Sequence, residues 1–306
     1  MDITELINSK EYIILDGAMG TMLQAHGLKA GQSPMLMNIT SAETVESIHR
    51  MYIEAGSDIV FANTFGANAL MLKKTGYSPT IIITAAIEAA KRAAASASAA
   101  ASTSAAVSPS ATAVANATAV AVALDVGPTG DILEPYGELE FEEAYEVFKE
   151  MAIIGENAGA DLVVIETMSD PEELRAAMTA VRDNTNLPIF ATMTFEKSGF
   201  TFMGCTPEKF AQTAENLGAV AVGLNCSLEP QQMYEIAKRI KNTTGLPLIV
   251  KPNAGLPDAV SGEYRTEAAR FAEQMLPYAE IGAKIIGGCC GTTPEYIKEL
   301  VKTFNA

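Results

Sequence analysis

The chain has no tryptophan and only two histidines, His26 and His49, so a histidine-built metal site or a serine-type triad has almost nothing to be assembled from. No GxSxG, HExxH, GxGxxG or GxxxxGK[ST] pattern occurs, which removes the enzyme classes those motifs mark. Basic residues are short as well: 21 Lys and Arg stand against 37 Asp and Glu, a formal charge of −16. That balance argues against gripping a nucleic-acid backbone and against docking on anionic lipid. Cysteine is sparse, with Cys205 and Cys226 isolated and Cys289-Cys290 adjacent. Such spacing is not the even framework of a secreted disulfide scaffold, and in a cytosolic chain it fits metal or redox work better. Long uncharged apolar runs are missing too. The stretch from Thr80 is interrupted by Glu88, Lys91 and Arg92, and the N-terminus carries Asp2, Glu5 and Glu11 where an export signal needs a basic start. The expectation is a cytoplasmic protein with no membrane span and no cleaved leader.

What the chain does have is apolar side chain, 48% of its 306 residues, enough for one large barrel or two ordinary domains. Eight short β-branched runs recur, at 12–17, 58–65, 119–128, 161–167, 187–195, 219–227, 246–255 and 283–291. They are apolar nearly throughout, which is the pattern of strands covered on both faces, as in parallel sheets. Amphipathic stretches lie between them at 41–56, 140–158, 170–184, 206–217, 229–243 and 266–281, several opened by Ser, Asp or Thr with Pro or Glu close behind. The economical reading is a single-domain (β/α)₈ TIM barrel spanning 1–306. An open, doubly wound sheet is the alternative, because a strand count does not prove closure. One tract, Ala93–Ala123, is low in complexity and carries no charge. Alanine favours helix there to about Ala106, Pro109 ends it, and Ala119–Asp125 is the third strand; the tract reads as a surface helix and loop.

Barrels of this kind work at the carboxyl ends of their strands. Standing there are Asp16-Gly17, Asn63-Thr64, Asp125, Glu166-Thr167, Asn225-Cys226, Lys251 with Asn253, and Cys289-Cys290. Three cysteines therefore converge on one mouth. Three thiolates with one open position suit a catalytic Zn²⁺, with Zn–S distances of about 2.3 Å. Neighbouring strand residues point to opposite faces, so Cys289 and Cys290 share an ion only if the strand end is distorted; Gly287, Gly288 and Gly291 supply that freedom. Such a site has a net charge of −1 and suits activation of a soft incoming thiol better than hydrolysis. Stabilising a thiolate by about two pKa units is worth roughly 2–3 kcal/mol. The chemistry indicated is thiol alkylation. The competing readings are vicinal cysteines buried as core or joined in a strained disulfide, and Cys205 is an inert residue before a helix. Asp16 and Glu166 singly would cap helices or pair with lysines; together at one mouth they fit the ammonium of an amino acid. The Gly17-Ala18-Met19-Gly20 turn, leading into a helix at Thr21–Ala25, offers backbone N–H groups for a carboxylate.

The segments LDGAMGTMLQ (15–24), ANTFGAN (62–68), GPTGDILEPYG (127–137), IETMSDPEEL (165–174), GLNCS (223–227), KPNAGLP (251–257) and GGCCGTTPEYI (287–297) resemble the homocysteine S-methyltransferase family. The first and last resemble most closely the N-terminal homocysteine-binding module of cobalamin-dependent methionine synthase. The resemblance runs from about Ile14 to Phe304. It implies a TIM barrel holding Zn²⁺ by Cys226, Cys289 and Cys290, with homocysteine thiolate as fourth ligand. It also puts the substrate ammonium on Asp16 and Glu166 and the carboxylate on the backbone of Gly17, Ala18 and Met19. Asn253 matches a position whose side chain occupies the metal when substrate is absent. The implied reaction is in-line methyl transfer to sulfur, giving methionine, with methylcobalamin on a corrinoid partner protein or module as donor; betaine or S-methylmethionine is the alternative. The sequence ends at Ala306 without folate, cobalamin or reactivation modules, so the expectation is either a stand-alone enzyme with a separate methyl carrier or one module of a longer protein. A rival of another class is a non-catalytic barrel with structural zinc or a redox disulfide at its mouth.

Overall fold

The computed structural model describes residues 1–29, 31–107, 119–258, 262 and 264–305. Among them, β1 (Ile13–Ile14), β2 (Ile59–Phe61), β3 (Ala121–Val126), β4 (Leu162–Met168), β5 (Ile189–Met193), β6 (Ala221–Asn225), β7 (Leu248–Lys251) and β8 (Ala283–Ile286) form one parallel sheet in the order β1-β8-β7-β6-β5-β4-β3-β2. A further parallel bridge from Leu15 to Ile59 joins β1 to β2 and closes the barrel. Every strand thus neighbours its predecessor and successor. A doubly wound sheet would show a reversal of strand order, so that alternative falls.

Parallel neighbours need a crossover, and helices supply it. In chain order these are α1 (Ala42–Ala55), α2 (Pro79–Val107), α3 (Phe141–Asn157), α4 (Pro171–Asn184), α5 (Pro207–Asn216), α6 (Pro230–Thr243), α7 (Ala268–Met275) and α8 (Pro294–Phe304). Their starts follow local chemistry. The Asp170 side chain accepts from Glu172 N and Thr206 from Lys209 N, each with proline at the first helical position. The stretch expected as one helix over 266–281 is broken at Pro277, whose missing N–H ends α7 and starts a short turn, Pro277–Glu280. In the low-complexity tract α2 runs to Val107, and Ala93 and Ala94 are buried against the core, not on the surface. Pro109 lies outside the described residues.

Two cores explain the unbroken apolar strands. Ile13, Leu15, Ile59, Ala121, Leu162, Phe190, Ala221, Ile249 and Ile285 fill the barrel, and Ile3 and Leu6 of a short helix, Ile3–Ser9, plug its lower end. The alternate residues, Ile14, Val60, Val122, Leu124, Val163 and Ile165, pack outward with the helices. No helix among the described residues is long and apolar enough to cross a membrane.

α1 buries His49 together with Val45, Ile48 and Tyr52, and neither ring nitrogen has a partner. Burial lowers its pKa to about 4, against a smaller opposing effect of Glu46. The unfolded chain takes up this proton near pH 6.5. Stability is therefore retained above that pH and falls as pH drops toward 4, by roughly 3 kcal/mol in all. His49→Leu is expected to flatten the melting temperature between pH 6.5 and 4; a variant that tracks the parent protein's acid sensitivity would place its source elsewhere.

Candidate active site

Side-chain alternation carries the inner face of each strand upward to its carboxyl end. Ile59 leads to Phe61, Ala123 to Asp125, Val164 to Glu166, Phe190 to Thr192, Gly223 to Asn225 and Ile249 to Lys251. The top layer of the barrel is therefore polar, and it is tied together. Lys251 Nζ donates to Glu166 Oε2 at 2.9 Å, with side chains only 4% and 9% exposed, and lies 3.7 Å from the centre of the Phe61 ring. Burial works against the Lys251 charge, but Glu166 and Asp16 outweigh it and hold its pKa above the ordinary lysine value. Asn225 Oδ1 accepts from Thr167 N at 2.9 Å and Thr192 Oγ1 at 2.7 Å, and its Nδ2 donates to Thr167 Oγ1 at 2.7 Å. These bonds hold Thr167 at φ 62°, a conformation that costs a β-branched residue about 1 kcal/mol or more.

The cysteines follow from the same strand ends. Cys226 (φ 61°) and Ser227 (φ 57°) both adopt the left-handed conformation just past β6, with Cys226 N donating to Lys251 O at 3.1 Å. Beyond β8, Cys289 N donates to Pro252 O at 2.8 Å, Cys290 N to Asn253 Oδ1 at 3.1 Å, and Ala254 N to Cys290 O at 2.9 Å. The strand end is distorted as the glycine pattern predicts, though the glycines contribute differently. Gly291 takes the positive φ (83°), whereas Gly288 is needed because a Cβ would meet Thr292 Oγ1 at 2.4 Å. The outcome is a compact sulfur cluster: Cys226 Sγ and Cys290 Sγ are 3.8 Å apart, and all three sulfurs lie within 4.8 Å of one another. All four cysteines are free thiols, and Cys205 is buried with its Sγ near Thr206 O, outside the cluster.

Mutual contact sets the thiols' acidity. At Cys226 the hydrogen bond with Cys289 lowers the pKa, but the bond with Cys290 and burial outweigh it and leave it at about 11. Cys290 is lowered by Cys226 but raised more by Cys289 and burial, to about 12. Three soft sulfur donors within reach of one ion are the donor set of a zinc-type metal site. Tyr264, which the sequence reading did not single out, stands against Gly291 and beside Cys290; burial and the Cys290 sulfur push its hydroxyl to about 12.

Asp16, Gly17, Ala18, Met19, Glu166, Cys226, Cys289 and Cys290 all line one cavity of about 380 Å³, joined by Asp125, Lys251 and Phe61. Asn253 stands behind Cys290, not on the cavity wall. The helix after Gly17 starts at Met19, two residues before the expected Thr21, and Ala18 N already donates to Thr292 O at 3.1 Å. Gly17 has no room for a side chain, since a Cβ would lie 2.7 Å from Thr292 Oγ1. Asp16 Oδ2 accepts from Phe61 N at 2.7 Å. Burial raises its carboxyl to about 7 despite the nearby Lys251. Lys251 and Asp125 are cavity side chains to which the sequence assigned no role; the signal available was their place at the end of an inward-facing series.

The profile of the family described as Homocysteine S-methyltransferase matches residues 13–304. The chain belongs to the homocysteine S-methyltransferase family. It is 31% identical over 315 residues to methionine synthase of Mycobacterium tuberculosis and 30% identical over 317 to that of Mycobacterium leprae. Each match covers 97% of this chain and 25% of the relative, so the chain spans about a quarter of those proteins. Among solved structures, the homocysteine methyltransferase MmuM from Escherichia coli is similar in its oxidised form (TM-score 0.81, 23% identity, 98% of both chains). Its metallated form is similar too (TM-score 0.79, 21% identity, 99% of both chains). At these identities the likeness establishes the shared barrel. The three-cysteine cluster of this chain lies at the carboxyl ends of the strands, the face on which TIM-barrel enzymes place their active sites.

Proposed function

We propose that the protein methylates L-homocysteine on sulfur, giving methionine, with zinc held by Cys226, Cys289 and Cys290. The observation that carries this reading is the sulfur cluster opening onto the same cavity as Asp16 and Glu166. When bound, the metal supplies the positive charge that brings an incoming thiol to the thiolate form at neutral pH. The protein's own groups orient the rest of the amino acid. Asp16 and Glu166 face the ammonium, and the Gly17–Met19 turn faces the carboxylate, with the Met19 N–H among the unpaired donors of its helix start. Asn253, whose Oδ1 accepts from Cys290 N at 3.1 Å, is the side chain that would occupy the metal when substrate is absent. The 380 Å³ cavity holds a small amino acid and leaves the sulfur end toward the cysteines. For the donor we favour a methylated corrinoid protein, supported by the methionine synthase relatives at about 30% identity over nearly the whole chain.

The test is elemental analysis of the purified protein with zinc-edge X-ray absorption before and after L-homocysteine. One zinc per chain and a shell changing from three sulfurs to four is the expected result. No zinc after repletion under reducing conditions, or a shell that ignores homocysteine, withdraws the reading. Methylcobalamin and S-methylmethionine offered separately then discriminate the donor.

A further inference from the structure

If homocysteine binds through its sulfur, four thiolates share one ion and a methyl group has to reach the right one. A tetrahedral shell of like ligands does not by itself mark the substrate. The protein's own three sulfurs are marked, because each has a hydrogen-bond donor beside it. Cys289 Sγ faces Asn225 Nδ2 at 3.9 Å, Cys290 is partnered by the Tyr264 hydroxyl, and Cys226 by the Ser227 backbone N–H.

The amide of Asn225 is not free to turn. Thr167 N–H can only donate, so the atom 2.9 Å from it has to be Oδ1, which also accepts from Thr192 Oγ1 at 2.7 Å. That leaves Nδ2, with one hydrogen on Thr167 Oγ1 at 2.7 Å and the other available to Cys289. Asn225 is fully buried, and the groups that fix it belong to β4 and β5. Tyr264 is held by packing instead. Its ring covers Gly291, where a Cβ would meet ring carbons at 2.2–2.6 Å, and two residues further on Thr266 O accepts from the Tyr296 hydroxyl of α8. A metal-bound thiolate has no proton to give, so in these contacts the amide and the hydroxyl donate and draw electron density from sulfur. The cavity that an incoming sulfur would enter is walled in part by Met19, Pro34, Phe61 and Phe65, whose side chains donate nothing.

We propose that Asn225 and Tyr264 are positioning residues that shield Cys289 and Cys290 from methylation, leaving the substrate sulfur as the most electron-rich thiolate at the metal. The proposal rests on the zinc and homocysteine reading of this site.

The experiment exposes the zinc-loaded protein, without homocysteine, to methyl iodide and follows each cysteine by peptide mass spectrometry. A sulfur–carbon bond forms as the carbon–iodine bond breaks, and iodide departs with the electron pair. Tyr264→Phe keeps the ring over Gly291 and loses only the hydroxyl. It is expected to retain its zinc and to be methylated about fivefold faster at Cys290, with Cys226 and Cys289 within about twofold of the parent protein. Asn225→Asp keeps the acceptor for Thr167 N and Thr192 Oγ1 but has no N–H to offer, and is expected to shift the largest gain to Cys289. A gain shared equally by all three cysteines, no gain at Cys290, or loss of zinc from Tyr264→Phe overturns the proposal, since the hydroxyl then holds the fold or the metal and shields no sulfur. A parent protein that takes up no zinc removes the homocysteine reading and this proposal with it, and metal analysis tells that outcome apart.

Discussion

Replacing Cys290 with alanine is expected to strip the metal and abolish methyl transfer together while the barrel stays folded. Cys290 supplies one of three sulfurs that lie within 4.8 Å of one another, and nothing in the described cluster replaces it. Cys205, the remaining thiol, is buried beside Thr206, and neither histidine lines the cavity. Structural zinc in zinc-finger peptides derives about 10–16 kcal/mol from its full ligand set, which shows how strongly retention depends on every ligand being present. Loss of one thiolate in three should weaken retention by more than about a hundredfold. The cost to the fold is small by comparison. Cys290 is only partly buried, its backbone bonds to Asn253 Oδ1 and Ala254 N survive the change, and shaving one sulfur from a cavity wall costs about 1 kcal/mol or less. Metal analysis, circular dichroism and a methyl-transfer assay on one preparation check all three parts. An active, metal-free variant would sink the mechanism.

The barrel was legible because its physics is periodic. Strand runs at 119–128 and 161–167 were apolar nearly throughout, since one face meets the barrel interior and the other the helices, as strands of a parallel sheet require. The cysteines were legible because residue type and strand-end position coincide. What escaped was pairing. Lys251 and Asp125 stand at strand ends in the sequence as plainly as Glu166 does, yet which carboxylate meets the lysine depends on strand tilt and side-chain reach across the barrel, about which spacing along one strand says nothing. Glycine was misread in part for a related reason. Gly288 is excluded from carrying a Cβ by Thr292, a contact made through space by the turn itself and not by any backbone preference that sequence advertises.

Lys251→Met is the second large effect, and it isolates the electrostatics of the mouth. Methionine replaces the apolar stem and removes the charge, leaving Glu166 without its partner at 2.9 Å in a site where both side chains are less than a tenth exposed. Breaking a buried pair from one side costs about 3–5 kcal/mol, because the surviving charge is left desolvated. Here the penalty spreads further. Burial is the main reason the Asp16 and Asp125 carboxyls are raised, and Lys251 is the neighbour that draws both back down. Without it both rise further. A carboxyl whose folded pKa exceeds its unfolded value contributes stability at low pH that is lost as pH climbs through the folded value. The variant should therefore lag the parent protein most at pH 8 and recover toward pH 5, the reverse of the trend that His49 imposes. Lys251→Met combined with Glu166→Gln should regain most of the loss, since removing both partners leaves no orphaned charge between them. Urea unfolding of the two single variants and the double variant at pH 5 and pH 8 measures the coupling. A double variant no more stable than Lys251→Met would show that the lysine acts on Asp16 and Asp125, and that its contact with Glu166 contributes little.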